Sequence, residues 1–159
     1  MTPESVEEQL LHEQIKQLDL SAYCIVTADT SVRLTVERMK TMGQNCAFVV
    51  GAATQLIGIL TDRDVLKKVV ANKASWDEPV KSVMTPSPDT LPQGASTNQA
   101  LRLMQEHHCR NVPVVDEKGV PVGNVTHYAI LRYLCDHFPE AVYNLPPDPD
   151  NYAKRRDGG

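Results

Sequence analysis

Residues 57–64 read IGILTDRD, and residues 122–129 read VGNVTHYA. Both stretches have glycine in second place and threonine in fifth place, and both begin with an apolar run typical of a β-strand. After each threonine, the spacing of apolar residues changes to that of a helix. The helical positions are Val65, Leu66 and Val69 in the first stretch and Ile130, Leu131 and Leu134 in the second. The sequence therefore predicts one strand-to-helix junction that is used twice.

The junction belongs to a longer internal repeat. A shift of 65 positions aligns residues 24–70 with residues 89–135 without a gap. Such self-similarity at a fixed distance is the signature of a duplicated structural unit. The identical pairs include Ser31 with Ser96, Met39 with Met104, Val49 with Val114, Val50 with Val115, Gly58 with Gly123, Thr61 with Thr126 and Leu66 with Leu131.

Each copy predicts the same order of elements, β-α-β-β-α. A short extended piece leads to a serine that suits a helix N-cap, Ser31 or Ser96, and Gln99 completes a capping box in the second copy only. A hairpin follows the helix. Its strands are AFVV at 47–50 with LIGIL at 56–60 in the first copy, and VPVV at 112–115 with PVGNV at 121–125 in the second.

The fold class expected from this order is α/β in the α+β sense, with two repeats packed by pseudo-two-fold symmetry. Neither copy encloses a core alone, so the two sheets should face one another and form two related clefts. Apolar residues at helical spacing predict an N-terminal helix, with Thr2 and Pro3 as its cap and first position. The predicted divisions are an N-terminal helix at 1–21, repeats at 22–74 and 89–137, a linker at 75–88 and an extended Pro-rich tail at 138–159.

Composition excludes several classes of protein. The chain has 159 residues and a formal net charge of −4 with both signs interspersed, whereas nucleic-acid and membrane-surface binders usually concentrate positive charge. The chain contains no apolar run long enough to cross a membrane and no N-terminal leader pattern. We therefore expect a cytoplasmic protein that binds neither nucleic acid nor membrane.

The reactive residue types do not form a recognisable catalytic or metal motif. The cysteines Cys24, Cys46, Cys109 and Cys135 are scattered along the chain, and we expect reduced and mostly buried thiols. Adjacent residues do not readily face one metal ion, so His107, His108 and Cys109 do not predict a metal site. With no recognisable nucleophile and base, we do not expect an enzyme.

The segments GILTDRDVL at 58–66 and NVPVVDEKGVPVGNVTHYAIL at 111–131 resemble cystathionine-β-synthase (CBS) domains, and the tandem is similar to a Bateman module. The resemblance covers residues 24–135. It implies a disc-like pair of domains that commonly forms a homodimer and whose clefts bind adenosine-type ligands. AMP, ADP or ATP are favoured, ahead of S-adenosylmethionine or a cyclic dinucleotide, and no metal is required. Such modules sense a ligand and are not normally catalytic.

The first copy carries the residues that would hold such a ligand. Thr61 places a hydroxyl beside free backbone N–H groups at a helix start, which suits a phosphate. Asp64, on the first turn, has two carboxylate oxygens for the two hydroxyls of a ribose. Arg63 and Arg110, with His108 nearby, are candidates for the phosphate side because a guanidinium fork suits phosphate.

The resemblance also implies a slot for adenine, formed by backbone edges and apolar walls. The family position of this slot falls on the segment Tyr23–Thr27, with Val112 and Pro113 as a wall. Thr126 would take the place of Thr61 in the second cleft. The residues assigned to the adenine slot are therefore Tyr23, Ile25, Thr27, Val112 and Pro113.

Thr61 and Asp64 also have a purely structural interpretation. The pattern T-x-x-D is close to a capping box, which would stabilise the helix by about 1 kcal/mol without any ligand. The second copy keeps Thr126 but has Ala129 in place of the acid, so a cap with threonine alone suffices there. The same difference predicts one strong ligand site per chain.

Two main functions follow from these alternatives, beside a third possibility, a metal- or redox-responsive dimer formed through the cysteines. The first is a regulatory, energy-sensing module that binds an adenine nucleotide between its repeats and signals to a separate partner protein, acting as a homodimer through the module helices. The second is a ligand-free scaffolding or dimerisation module with vestigial clefts. The acid missing from the second copy supports the second alternative.

Overall fold

A computed structural model of the chain describes residues 5–139. Its strands form two sheets, with orders β1-β2-β3-β4 and β5-β6-β7. The helices of this region are α1 (Val6–His12), α2 (Val32–Met42), α3 (Asp62–Asp64), α4 (Thr97–His107) and α5 (His127–His137). The strands are β1 (Cys24–Thr27), β2 (Cys46–Val50), β3 (Leu56–Thr61), β4 (Thr85–Pro86), β5 (Leu91–Pro92), β6 (Asn111–Val115) and β7 (Pro121–Thr126).

The predicted duplication is confirmed, and it is closest at the first helix and the hairpin of each copy. Helix α2 and both strands of the first hairpin recur in the second copy with bounds displaced by 65 residues. Both hairpins are antiparallel, and both have a register irregularity at the same place, between Val49 and Val50 and between Val114 and Val115. The α+β fold of two β-α-β-β-α units is therefore confirmed.

The serine caps of the first helix in each copy are also as predicted. Ser31 accepts a hydrogen bond from the backbone N–H of Leu34 without a capping box. Ser96 and Gln99 form the full box, with reciprocal side-chain to backbone bonds. Since each such cap stabilises a helix by about 1 kcal/mol, the local sequence fixes where α2 and α4 begin.

The N-terminal helix is shorter than predicted. Helix α1 begins after Ser5, which forms a capping box with Glu8, so Ser5 and not Thr2 is the cap. The helix stops at His12 because Glu13 adopts an extended conformation and Gln14 bridges to Ser96. The predicted tail from residue 140 onward and the positions of Thr2 and Pro3 lie outside the described residues.

The pseudo-symmetry extends beyond the segment found in the sequence. A 3-10 turn at Ile15–Gln17 and another at Val80–Ser82 are again related by 65 residues. Equivalent backbone hydrogen bonds support them, since Thr97 N donates to the carbonyl of Glu13 and Val32 N donates to that of Glu78. The predicted linker at 75–88 is therefore part of a repeat and not a simple connection.

We call residues 15–20, which lead into the first repeat, and residues 80–85, which lead into the second, the leading segments. Each leading segment packs against the other repeat. Ile15 and Leu18 join the core formed by the second repeat, and Val80 and Val83 join the core of the first. Ile15 and Val80 are fully buried, and burial of one such side chain contributes about 1.5–3 kcal/mol. The two leading segments therefore cross between the repeats and hold them together.

Where a leading segment crosses the sheet of the other repeat, its backbone lies close to the backbone of a strand. Strand β4 pairs with β3 at Ile59 and Gly58. In the second sheet the N–H of Asn124 donates to the carbonyl of Leu20 at 2.9 Å. A Cβ on Gly123 would lie 2.9 Å from the Cβ of Leu20, so a glycine is required where the leading segment crosses β7. Within residues 5–139 we find no helix that is long and apolar enough to cross a membrane.

Gly123→Ala should lower the free energy of unfolding by about 1–3 kcal/mol, because the new methyl meets an atom joined directly to the backbone of Leu20. Gly94→Ala is the matched control, since a Cβ there meets nothing within 4 Å. Urea denaturation followed by circular dichroism measures both. Equal stability of the two variants would show that the segment at Leu20 does not hold the second sheet.

A candidate ligand cleft between the two repeats

A cleft of about 640 Å³ lies where the two repeats meet. Its walls come from the end of β3, from the segment that includes β4, and from the loop between α4 and β6. The lining residues are Ile59, Thr61, Asp62, Arg63, Asp64, Leu66, Thr85, Ser87, Pro88, Asp89, His107, His108, Cys109, Arg110, Asn111 and Val112. The volume is within the range of small-molecule sites in proteins.

Thr61 and Asp64 form a capping box and also line the cleft. One carboxylate oxygen, Oδ2, accepts from the Thr61 N–H at 3.0 Å and from its hydroxyl at 3.1 Å. The Asp64 N–H in turn donates to the Thr61 hydroxyl oxygen at 3.3 Å. The side chain of Asp64 remains 17% exposed, so the cap does not close it off from the cleft. The structural and ligand-binding interpretations are compatible at this pair.

The helix after Thr61 differs from its counterpart. Asp62–Asp64 form a single α-helical turn, and Val65–Val69 form a π-helical turn. The equivalent residues of the second repeat lie in the regular helix α5. Isolated π-helical turns are rare and are frequent at functional sites, so this irregularity distinguishes the first repeat.

Two guanidinium groups face the same cleft as Asp64. Arg63 and Arg110 are exposed and line it, and neither forms an ion pair within the described residues. Among residues 5–139, the Arg63 guanidinium makes one hydrogen bond, a long one of 3.5 Å from Nη1 to the carbonyl oxygen of His108. These cations are therefore available to an anionic ligand.

The lip of the cleft has an unusual backbone. His108 ends α4 in the left-handed conformation with φ 52°, at the place where Gly43 ends α2 with φ 64°. A side chain in this conformation costs about 1–2 kcal/mol relative to the right-handed form. The neighbouring His107 contacts Asp89 across the lip, 3.3 Å from Nδ1 to Oδ2. The histidines therefore line the cleft and are not merely surface imidazoles.

The cysteines differ in exposure. Cys24 and Cys46 are buried, but Cys135 is exposed, which corrects the expectation for that residue. Burial raises the pKa of the Cys109 thiol above its usual range. A thiol with a raised pKa is a poor nucleophile near neutral pH, so Cys109 contributes an apolar surface to the cleft.

The structure brings five of the predicted site residues into the cleft. They are Thr61, Arg63, Asp64, Arg110 and Val112. The other five do not line it, and they are Tyr23, Ile25, Thr27, Pro113 and Thr126. The expected position of the adenine slot beside Thr61 is corrected accordingly.

The reason for this correction is the order of strands in the first sheet. Strand β1, which carries Ile25 and Thr27, pairs with β2, whereas β4 is the neighbour of β3 at the cleft. Tyr23 stacks on Phe48 with ring centroids 4.6 Å apart. Residues 85–89 therefore occupy the wall that was expected for the segment Tyr23–Thr27.

Residues 85–89 were the main part of the site that the sequence analysis missed. The 65-residue shift relates them to residues 20–24, so the segment around Tyr23 takes the equivalent position in the second repeat. Extending the repeat through Ile15 and Val80 relates these two walls in the sequence, but their exchange between the repeats is a feature of the tertiary packing.

Comparison with protein families agrees with this architecture. The model of the CBS domain matches the chain twice, at residues 16–71 and 80–136. The chain belongs to the CBS domain family. Both matches begin at a leading segment, and the matched ranges include the core residues Leu18, Val80 and Val83, while Ile15 lies one residue before the first match.

Individual relatives share the fold. An uncharacterized protein of Methanocaldococcus jannaschii is 32% identical over 120 residues, which are 76% of this chain but only 28% of that protein. The crystal structure of CBSX2 in complex with AMP superposes with a TM-score of 0.66 at 23% identity, covering 78% of this chain and 97% of that one. The cytosolic domain of the Mg²⁺ channel MgtE in complex with ATP gives 0.65 at 24% identity, covering 77% and 49%.

The second repeat of the CBS pair lacks the acidic part of the site. Thr126 caps α5 by accepting from the N–H of Ala129 at 3.0 Å, and no carboxylate completes a box. The buried Asn124 replaces Ile59, and its amide donates to the side-chain oxygen of Asn111 at 3.0 Å. The two threonine junctions of the CBS pair therefore share their strand-to-helix backbone and differ in the polar side chains around it.

Asp64→Ala should lower the free energy of unfolding of the ligand-free protein by about 1–2 kcal/mol, because both capping bonds of the partly buried carboxylate are lost. Asp62→Ala is the control. In the described part of the chain its exposed carboxylate accepts only from the Arg63 N–H, so the change should stay within about 0.5 kcal/mol. Chemical denaturation without nucleotide tests both, and an unchanged Asp64→Ala variant would rule out a structural role for the box.

Proposed function

We propose that the protein is a regulatory module that binds an adenosine-type nucleotide, AMP, ADP or ATP, in the cleft between its CBS repeats. Three features of the cleft support the proposal. They are two guanidinium groups that have no ion-pair partner within residues 5–139, the carboxylate of Asp64, and apolar walls. The AMP and ATP complexes of CBSX2 and MgtE show that proteins of this fold bind adenine nucleotides. Nucleotide binding would then change how the protein interacts with a separate partner protein, as in energy sensing.

Each part of the nucleotide has a matching group in this proposal. Arg110 and Arg63 bind the phosphate, since guanidinium forks pair with phosphate oxygens. Asp64 accepts from the ribose hydroxyls through lone pairs that the capping bonds leave unused. Ile59 and Val112 supply apolar walls for the base, whose edge meets the backbone of residues 85–89.

The observation that carries the proposal is the pair of cations beside an acid in one cavity. A purely structural capping box explains Asp64 and Thr61 but does not explain why Arg63 and Arg110 face the same cleft without ion-pair partners in the described region. Charged groups that converge without pairing are typical of a site for a charged ligand.

A ligand-free scaffolding module is the second candidate. It is favoured by the observation that both oxygens of Asp64 already have partners, Thr61 and the ammonium of Lys68. In this alternative the acid only fixes the helix, and the chain acts through its surface.

Either function would use a homodimer formed through the module helices. The helices after Thr61 and Thr126 expose apolar side chains at positions that the repeat relates, Leu66 at 70% and Leu131 at 53%. Val70 and Tyr128 are likewise exposed, at 55% and 70%. A surface with internal pseudo-two-fold symmetry suits an isologous contact with a second copy, in which the same patch is used twice.

With AMP at a hundred times its dissociation constant, the native protein should be stabilised by about 2.7 kcal/mol. Arg110→Met should weaken AMP binding by about tenfold to a hundredfold, because a charge-assisted hydrogen bond is lost. Thermal denaturation and isothermal titration calorimetry measure these effects, with ADP, ATP, cyclic dinucleotides and S-adenosylmethionine in parallel.

The matched control for Arg110 is Arg102→Met, since Arg102 is exposed on α4 and does not line the cleft. Its affinity for AMP should stay within about twofold of the wild type. The Asp64→Ala variant must be compared with its own ligand-free melting curve because the cap is lost as well. No stabilisation by any of these ligands at millimolar concentration would favour the scaffolding module.

Leu131→Glu should dissociate the proposed homodimer, since it places a charge in the centre of the apolar contact. Leu34→Glu is the control, because Leu34 is similarly exposed, at 48%, but lies on α2. Sedimentation equilibrium measures both. A monomeric wild type, or a Leu131→Glu variant that remains dimeric, would exclude the helix-mediated contact.

A further inference from the structure

The second carboxylate oxygen of Asp64 is held by a lysine outside the cleft. The ammonium Nζ of Lys68 lies 3.4 Å from Oδ1 of Asp64, one helical turn away. The same Nζ donates to the backbone carbonyl oxygen of Val83 at 3.2 Å. One ammonium group therefore joins the helical segment that carries Asp64 to the leading segment of the second repeat.

The carbonyl that Lys68 binds is directly connected to the opposite wall of the cleft. Val83 is buried in the core of the first repeat, and Thr85, Ser87 and Pro88 line the cleft. Lys68 thus contacts Asp64 on one wall and, at Val83, the backbone two residues before the other wall begins. Its side chain is 42% exposed, so the ammonium is screened by water and acts through geometry more than through strong attraction.

The second repeat shows that this pair is not needed for the fold. The residues equivalent to Asp64 and Lys68 are Ala129 and Tyr133, so the acid and the lysine are replaced together. Thr126 nevertheless caps α5, which runs over eleven residues, from His127 to His137. The π-helical turn that contains Lys68 also has no counterpart there.

We propose that Lys68 is a positioning residue for ribose recognition. It fixes the orientation of the Asp64 carboxylate, so that Oδ1, which makes no capping bond, presents its remaining lone pair to a ribose hydroxyl, and it holds the wall at residues 85–88 at the matching distance. This inference rests on the proposed binding of an adenosine-type nucleotide. It assigns to Lys68 no direct contact with the ligand.

The test compares AMP with 2′,3′-dideoxyadenosine monophosphate by isothermal titration calorimetry on the full chain. Lys68→Met should weaken AMP binding by about tenfold, because contacting groups are commonly coupled to this extent, and should change the affinity for the dideoxy compound by less than about twofold. Lys68→Arg, which keeps the charge and the donors, should retain most of the AMP affinity. Lys67→Met is the control, since Lys67 is exposed and does not line the cleft.

A double variant tests whether Lys68 acts through Asp64. The double variant Asp64→Ala with Lys68→Met should bind AMP no more weakly than Asp64→Ala alone, because the lysine has nothing left to position. Equal losses for AMP and the dideoxy compound in Lys68→Met would overturn the inference while leaving nucleotide binding intact. A wild type that binds neither compound would overturn the proposed function and this inference together. A wild type that binds both equally would overturn only the inference.

Discussion

The fold depends on the exchange of the two leading segments between the repeats. Ile15 and Leu18 complete the core of the second repeat, while Val80 and Val83 complete the core of the first. Neither repeat has a closed core without a segment that belongs, in sequence, to the other. Because residues 80–86 must lie on the first sheet before the chain crosses to β5, residues 85–89 are forced to pass beside Thr61. The cleft is a geometric consequence of this crossing.

The capping box at Thr61 shows how one pair of residues serves both fold and site. A helix start already concentrates N–H groups, a hydroxyl and an acid in one place, because those groups satisfy its unpaired backbone. When the adjacent chain crossing opens a cavity there, the same groups become its polar wall. Structural and ligand-binding roles are therefore not exclusive alternatives at Asp64, whose carboxylate makes the capping bonds and stays partly exposed.

The sequence predicted the local elements well because their causes are local. Serine caps, hairpin valines and the glycine-threonine junctions set the bounds of α2, α4 and both hairpins nearly to the residue. The cleft wall at residues 85–89 was not predicted, because it depends on which strand lies beside β3, a tertiary feature that no local pattern encodes. The clue was present in the matched pairs Ile15 with Val80 and Leu18 with Val83, which share only apolar character. A similarity that weak is not recognisable until the packing explains it.

The two repeats differ in side chains only at positions where the shared backbone does not require a particular residue. Both junctions keep the glycine and the threonine, because Gly123 and Gly58 admit a crossing segment and each threonine caps a helix. These requirements are identical in the two copies. The remaining side chains are free of that constraint, and the second copy has Ala129 and Tyr133 at the positions of Asp64 and Lys68. An acid and a lysine that are present together in one copy and absent together from the other behave as one unit. Since the helix persists where both are missing, the fold alone does not require the pair.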